Sequence, residues 1–279
     1  MPELPEVEAA RRVVERVARG RRIVGVECVD DPIVFERVPA ARWRRALLGR
    51  RVGAVRRHGK HLWLELDRRP WPCLHFGMTG GFHTPGRGTL RLVAHGKNGP
   101  GLAWPPRFMK LRLAFDDGGE LAYADARRLG RVRLRDDPQR EPPISLLGFD
   151  AFRELPSLGD FAALVRARSA PMKALLLDQS FAAGVGNWIA DEVLYQARVA
   201  PRRPARTLSR AESSRLRRRL RAILTTAVRA GADSDRFPKT WLFHRRWDHD
   251  PLARTSTGAR IRWDTIAGRT TAWVPSIQR

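Results

Sequence analysis

The sequence predicts an α+β chain in two parts: a first half built mostly of sheet behind an N-terminal helix, and a second half of helices that closes on short strands. Three observations carry this. Leu4, Val7, Ala10, Val13, Val14 and Val17 recur at spacings of three and four, the period of an amphipathic helix. From about residue 60 to 125 the apolar residues alternate instead, as they do in half-buried strands. After Arg135 the polar, proline-bearing stretch "DDPQREPP" reads as a linker, and helical periodicity follows it.

The elements follow in order. "KHLWLELD" (60–67) and "CLHFGM" (73–78) read as strands, and "MKLRLAFDDGGELAYAD" (109–125) as a hairpin turning on Asp117 and Gly118. The five Gly and four Pro of 84–107 suit an exposed loop. Ser157 is placed to cap a helix running to Arg168, and Pro171 to start another that ends near Gln179. "GVGN" (184–187) is a tight turn with a helix after it. Ser209 and Glu212 form a capping box ahead of a long helix whose apolar face is Leu216, Leu220, Ile223, Leu224, Ala227 and Val228, with arginines opposite. From Trp241 onward, short alternating strands return around "ARIRWDTIAGRTTAWVP". The expected division is 1–135, 136–240 and 241–279.

At 279 residues the chain is long enough for two modest cores, and 43% hydrophobic content is ordinary for a folded protein. No apolar run approaches the ~18 residues of a membrane span, so a cytoplasmic protein without membrane contact is expected. Cys28 and Cys73 lie far apart, which encodes neither a disulfide framework nor a thiolate metal site. The net charge of +24 points to a polyanionic partner, most naturally nucleic acid. A G+C-rich genome would itself favour arginine, which makes up 48 of the 53 basic residues, but that leaves the charge on the surface.

The chemistry is concentrated at the start. Proline and glutamate are welcome in the first turn of a helix, so "PELPE" could be a helix start and nothing more. Removal of Met1, however, leaves Pro2 with a secondary amine. An α-amino group has a reference pKa near 8, far below that of lysine, so roughly a tenth is unprotonated at neutral pH. Its attack on a carbonyl or acetal carbon gives an iminium intermediate, and Glu3 and Glu6 are near enough in sequence to serve as acid and base.

Lys60 stands at a strand start between His58 and His61; strand alternation places those two histidines on opposite faces, which argues against an ion shared between them or with His75. The helix after "GVGN" offers backbone N–H groups and a dipole to an anion, and Asn187 adds a side-chain donor. In "DARRLG", Arg127 and Arg128 can grip phosphate or an orphaned base while Leu129 props a base stack apart, and Met78 is a second candidate wedge. Arg269 sits between two short strands, a common place for a phosphate-probing arginine and equally for a solvated turn.

In the order "PELPEVE", "GK.LWLEL", "GMTG", "D.RRLG", "GVGNWIADEVLYQA" and "AGRTTAWVP", these segments resemble the formamidopyrimidine-DNA glycosylase and endonuclease VIII family across nearly the whole chain. The resemblance implies an N-terminal β-sandwich, a helical domain with a helix-two-turn-helix, and an antiparallel finger. It implies excision of oxidised bases from double-stranded DNA followed by lyase cleavage, with no cofactor and a monomeric protein. On the family's pattern Pro2 is the Schiff-base nucleophile, Glu3 the acid at the sugar, Glu6 a supporting carboxylate and Lys60 a phosphate-contacting catalytic residue. Asn187 and Arg269 would hold the phosphates around the flipped nucleotide, with Lys173 and Arg128 nearby on the backbone. Met78, Arg127 and Leu129 would fill the space the lesion vacates.

Two departures from the family pattern are informative. Where relatives hold the finger with four cysteines on zinc, this chain has Arg254, Thr257, Val274 and Ile277, so a zincless finger packed by Ile261, Trp263 and Trp273 is expected, as in the plant and fungal branch. Between Gly231 and Trp241 the chain is short where relatives that favour 8-oxoguanine carry a longer loop, which predicts weak excision of that base and preference for formamidopyrimidines and hydantoins. Leu129 stands where an aromatic is frequent. Two other classes compete: a non-catalytic architectural DNA-binding protein, and an RNA-binding protein, which the scattered aromatics disfavour.

Overall fold

The computed structural model describes residues 2–85, 103–247 and 249–279, so most of the 84–107 loop expected from the sequence lies outside the described residues. The chain divides into two compact units, 1–146 and 147–279.

The first unit opens with α1 (Leu4–Ala18), followed by β1 (Ile23–Cys28), α2 (Ala40–Leu47), β2 (Val52–His58), β3 (His61–Leu66), β4 (Trp71–His75), β5 (Gly81–His83), β6 (Met109–Phe115), β7 (Glu120–Ala124) and β8 (Arg131–Arg135). The strands make two four-stranded antiparallel sheets, ordered β1-β6-β7-β5 and β2-β3-β4-β8. Their inward faces meet in one buried cluster, with Ile23, Leu113, Phe115 and Tyr123 from the first sheet, Val55, Leu62, Leu74 and Val132 from the second, and Val7 and Val14 from α1. This is the β-sandwich that the resemblance implied. The hairpin of β6 and β7 turns through Asp117 and Gly118, where the Asp117 carboxylate accepts from the Gly119 N–H at 3.1 Å. Cys28 and Cys73 are both buried and free.

The second unit holds β9 (Phe149–Asp150), α3 (Leu158–Arg166), α4 (Met172–Leu177), β10 (Ala182–Ala183), α5 (Asn187–Ala197), α6 (Arg210–Arg229), β11 (Arg262–Ile266) and β12 (Arg269–Trp273). The caps are those the sequence marks. The Ser157 hydroxyl accepts from the Asp160 N–H, and Ser209 and Glu212 close a reciprocal box at the start of α6. β11 and β12 pair as an antiparallel hairpin through Ala267 and Gly268, both at positive φ, which is the backbone of a two-residue turn that matches strand twist. Among the described residues, no helix is long and apolar enough to cross a membrane.

At two of the four positions expected to be cysteine in zinc-bearing relatives, Val274 and Ile277, the finger is packed instead, while Arg254 and Thr257 are exposed. Val274 is buried with Leu242, Ile261 and Ala272, and Ile277 and Trp263 lie against them. Arg254 donates to the Gly258 carbonyl, and Thr257 hydrogen bonds with Thr255. These side chains offer no thiolate or imidazole, and no group of three or more metal-ligating side chains occurs among the described residues. Trp273 differs from its expected place. It lies outside this cluster, half-buried, with its indole N–H on the Asp264 carboxylate at 3.2 Å, because the alternation of β12 turns Ala272 inward.

Candidate active site and nucleic-acid interface

In the first unit the site begins at the start of α1. Glu3 is the N-cap, Pro5 lies in the first turn, and the Glu3 N–H donates to the Glu6 carboxylate at 3.1 Å. Pro2, Glu3 and Glu6 are all buried. The helix-start reading holds, and its geometry is compatible with the catalytic one: Glu6 caps, and its cap fixes the extended backbone of Glu3 next to Pro2.

Lys60 sits elsewhere than the sequence suggested. Gly59, at φ +56°, and Lys60 form the two-residue turn between β2 and β3, so Lys60 is at a hairpin tip and not at a strand start; it is nonetheless only 8% exposed. The turn reverses the strand parity assumed for the histidines. His58 and His61 face each other across the hairpin, and His61 packs on His75 of β4 with ring centroids 4.8 Å apart. Burial lowers the pKa of both, that of His75 to about 4, and nearby cations including Lys60 and Arg133 push the same way, which keeps the pair neutral near pH 7. The His75 Nδ1 accepts the Gly77 N–H at 3.2 Å, which fixes its tautomer and holds the backbone just before Met78.

Two residues that the sequence did not single out tie this turn to α1. Glu8 and Arg57, both buried, make an ion pair at 2.8 Å; Arg57 also donates to the Gly59 carbonyl at 3.1 Å, and Arg11 donates to the second Glu8 oxygen at 3.0 Å. A strut thus runs from the helix bearing Glu3 to the turn bearing Lys60.

The wedge candidates share one support. Met78 is 36% exposed and Leu129 41%, each on a turn that the Asp125 carboxylate gathers. Asp125, buried, accepts from the Thr79 hydroxyl at 2.6 Å, the Gly130 N–H at 2.7 Å and the Arg127 N–H at 3.3 Å. Gly77, at φ +60°, lets the turns touch, since a Cβ there would lie 2.3 Å from the Leu129 carbonyl carbon. Arg127 is exposed. Arg128, at φ +56°, is not free for a phosphate as expected: its guanidinium grips Asp31 at 2.9 Å, and Lys110 donates to the same carboxylate at 2.8 Å. Burial alone would raise the Asp31 pKa, but these hydrogen bonds outweigh it and hold the carboxyl well below its usual range. The Arg128 side chain remains 43% exposed beside that anion.

In the second unit the "GVGN" turn leads into α5, with Gly184 at φ +99° and Asn187 as the first helical residue. Gln179, not singled out from the sequence, staples the turn: its amide donates to the Leu177 and Val185 carbonyls at 2.7 and 2.9 Å and accepts the Gly184 N–H at 3.1 Å. The Asn187 amide donates to the Thr270 carbonyl of β12 at 3.0 Å. Arg269 opens β12 and is exposed. Lys173 corrects the sequence reading. It is 0% exposed, and its ammonium donates to the Asn187 carbonyl at 2.9 Å and to Asp191, so it braces α5 from within and does not reach a phosphate. Helical periodicity alone could not show this, because the two carbonyl and carboxylate partners come from another helix.

The family model described as the formamidopyrimidine-DNA glycosylase N-terminal domain matches residues 1–132, and that described as the formamidopyrimidine-DNA glycosylase H2TH domain matches 147–239. A formamidopyrimidine-DNA glycosylase of Arabidopsis thaliana is 40% identical over 279 residues, covering 100% of this chain and 71% of the relative. One from Thermus thermophilus is 34% identical over 292 residues, covering 100% and 98%. Among solved structures, the MutM (Fpg) protein of Thermus thermophilus superposes with a TM-score of 0.78 at 33% identity over 99% of this chain and 98% of that one. A MutM bound to DNA containing carbocyclic 8-oxo-G gives 0.80 at 26% identity over 100% of both chains. With a sandwich of this topology, a proline-and-glutamate start to α1 and the "GVGN" helix all in place, the chain belongs to the formamidopyrimidine-DNA glycosylase family.

Proposed function

We propose that this protein is a bifunctional DNA glycosylase and abasic-site lyase of base excision repair, with its nucleophile at Pro2. The observation that carries this is the pairing of Pro2 with the buried N-cap Glu3 at the start of α1, in a chain of this family. With Met1 removed, the Pro2 nitrogen attacks C1′ of the damaged nucleotide. A proton from Glu3 opens the sugar at its ring oxygen, the C1′–N bond breaks as the base takes the proton that the Pro2 amine sheds, and the resulting iminium carries the sugar on the enzyme. Loss of the acidic proton at C2′ then expels the 3′ phosphate, and a second elimination expels the 5′ phosphate.

Lys60 in the first unit, and Asn187 and Arg269 in the second, are the proposed phosphate ligands, and Arg128 is a further one once it shares or leaves Asp31. Met78, Arg127 and Leu129 are the proposed occupants of the emptied stack, and the exposure of both apolar side chains on a rigid support favours that role. Residues 1–135 would act as the catalytic domain, 136–240 as the DNA-gripping helical domain and 241–279 as the finger, on damaged duplex DNA as a monomer. Between Gly231 and Trp241 the chain makes only a 3-10 turn at Ser234–Arg236 before Phe237 and Trp241 pack on Trp188. That compact path supports formamidopyrimidines and hydantoins as substrates, with 8-oxoguanine a poor one.

Borohydride reduction on abasic duplex DNA tests the chemistry. The expected result is a covalent protein–DNA adduct that disappears when the N-terminal nitrogen is blocked. A purely architectural DNA-binding protein would bind the duplex and yield no adduct.

A further inference from the structure

We propose that Asp191 is the positioning residue that sets the finger's arginine in register with the first turn of α5. The proposal rests on reading Asn187 and Arg269 as phosphate ligands. Asp191 is 0% exposed at its side chain and gathers donors from three other segments. One oxygen accepts from the Lys173 ammonium, which also binds the Asn187 carbonyl at 2.9 Å. The other accepts the Ala272 N–H at 3.0 Å and the Arg246 guanidinium at 2.7 and 3.2 Å.

The geometry is that of a helix face acting as a strand. Asn187 and Asp191 are four residues apart, so their side chains lie one above the other on α5. They take alternate backbone groups of β12, the Thr270 carbonyl and the Ala272 N–H. A slip of one residue along β12 would break both bonds, because the groups of successive residues on a strand point to opposite sides. Arg269 is the residue just before that pair, so its place along α5 is fixed by the same two bonds. In a finger with Arg254, Thr257, Val274 and Ile277 at the expected cysteine positions, no metal ligand set among the described residues supplies this register. A buried carboxylate with two cationic partners is costly to assemble and poor as a plain source of stability, whereas it is well suited to specifying one arrangement.

The test is a double-mutant cycle on abasic-site duplex DNA with Asp191→Asn and Arg269→Ala, read as dissociation constant and as its dependence on salt. Asp191→Asn keeps the shape and removes the charge. Arg269→Ala should weaken binding about tenfold to a hundredfold, the worth of one charged hydrogen bond, and lower the salt slope by about one phosphate contact. Asp191→Asn should reproduce most of both changes and add little in the Arg269→Ala background. Independent, additive effects, or a folded Asp191→Asn protein with unchanged affinity and salt slope, would overturn the proposal. If Arg269→Ala itself leaves binding intact, the phosphate-ligand reading fails and the proposal goes with it. Should Asp191→Asn not fold, Arg246→Gln loosens the same carboxylate and must show the same non-additivity.

Discussion

At the residue scale, the carboxylate of Asp125 shows how few atoms hold Met78 and Leu129, the two proposed wedges. Three donors on two turns converge on it, and Gly77 and Gly130 allow backbone contact that any side chain would block. Replacing Asp125 by alanine leaves the buried Gly130 N–H without an acceptor, at a cost of about 1–3 kcal/mol. Excision from duplex DNA should fall at least tenfold, while cleavage of an abasic site in single-stranded DNA, which needs no wedge, should change much less; paired duplex and single-strand assays check this. The residues of this hub were hard to see in the sequence. "DARRLG" displays its arginines and leucine, but which neighbour an aspartate gathers depends on Thr79 and Asp125 meeting at a separation of 46 along the chain. Asp31 with Arg128 is the same case at a separation of 97.

At the scale of elements, the strut between Glu8 and Arg57 joins α1 to the turn of Lys60. Breaking a buried pair by removing one partner is costly, about 3–5 kcal/mol, whereas replacing both with apolar groups of similar size is nearly neutral. Arg57→Met alone should therefore lower the melting temperature sharply, and Glu8→Leu with Arg57→Met should restore most of it. If the strut sets Lys60 against Glu3, the double variant should still turn over slowly despite its recovered stability, which single-turnover cleavage measures. Glu192 of α5 gives a second test. Burial is the main cause that pushes its carboxyl up to about 7, with Asp191 adding to it, against the hydrogen bonds from Gln196 and the Phe243 N–H and the charge of Arg246. The folded state therefore holds this proton more tightly than the unfolded chain, whose carboxyl titrates near 4.5. Stability should be highest below about pH 4.5 for this group and decline as pH rises toward 7, by ~3 kcal/mol in all. Asp31 and Glu212, whose folded values are depressed, act in the opposite sense and only in more acid solution. Melts at pH 5 and 8 should differ for the native chain, and Glu192→Gln should shrink the difference.

The elements themselves were largely legible. The spacing of Leu4, Val7, Ala10 and Val14, the box of Ser209 with Glu212, and the turn on Asp117 and Gly118 are local signals, and each appears where local physics puts it. The site histidines were not. A two-residue turn hidden in Gly59 and Lys60 reversed their parity, since nothing in "RRHGKHLWLEL" separates a strand start from a hairpin tip.

At the scale of the whole molecule, the net charge of +24 makes ionic strength the control on DNA affinity. Affinity for undamaged duplex should fall linearly in the logarithm of salt, and the lesion-specific increment should be less sensitive, because the proposed wedge and nucleophile contacts release no counterions. Titrations at several salt concentrations with matched intact and abasic duplexes separate the two. The two buried cysteines carry a different consequence. Burial pushes both thiols up to about 12, so neither is a thiolate near neutral pH, and the finger is closed by valine and isoleucine where sulfur would otherwise stand. Hydrogen peroxide attacks thiolates first. Near neutral pH an oxidant therefore meets no sulfur anion at Cys28 or Cys73, and no sulfur at all in the hairpin that carries Arg269.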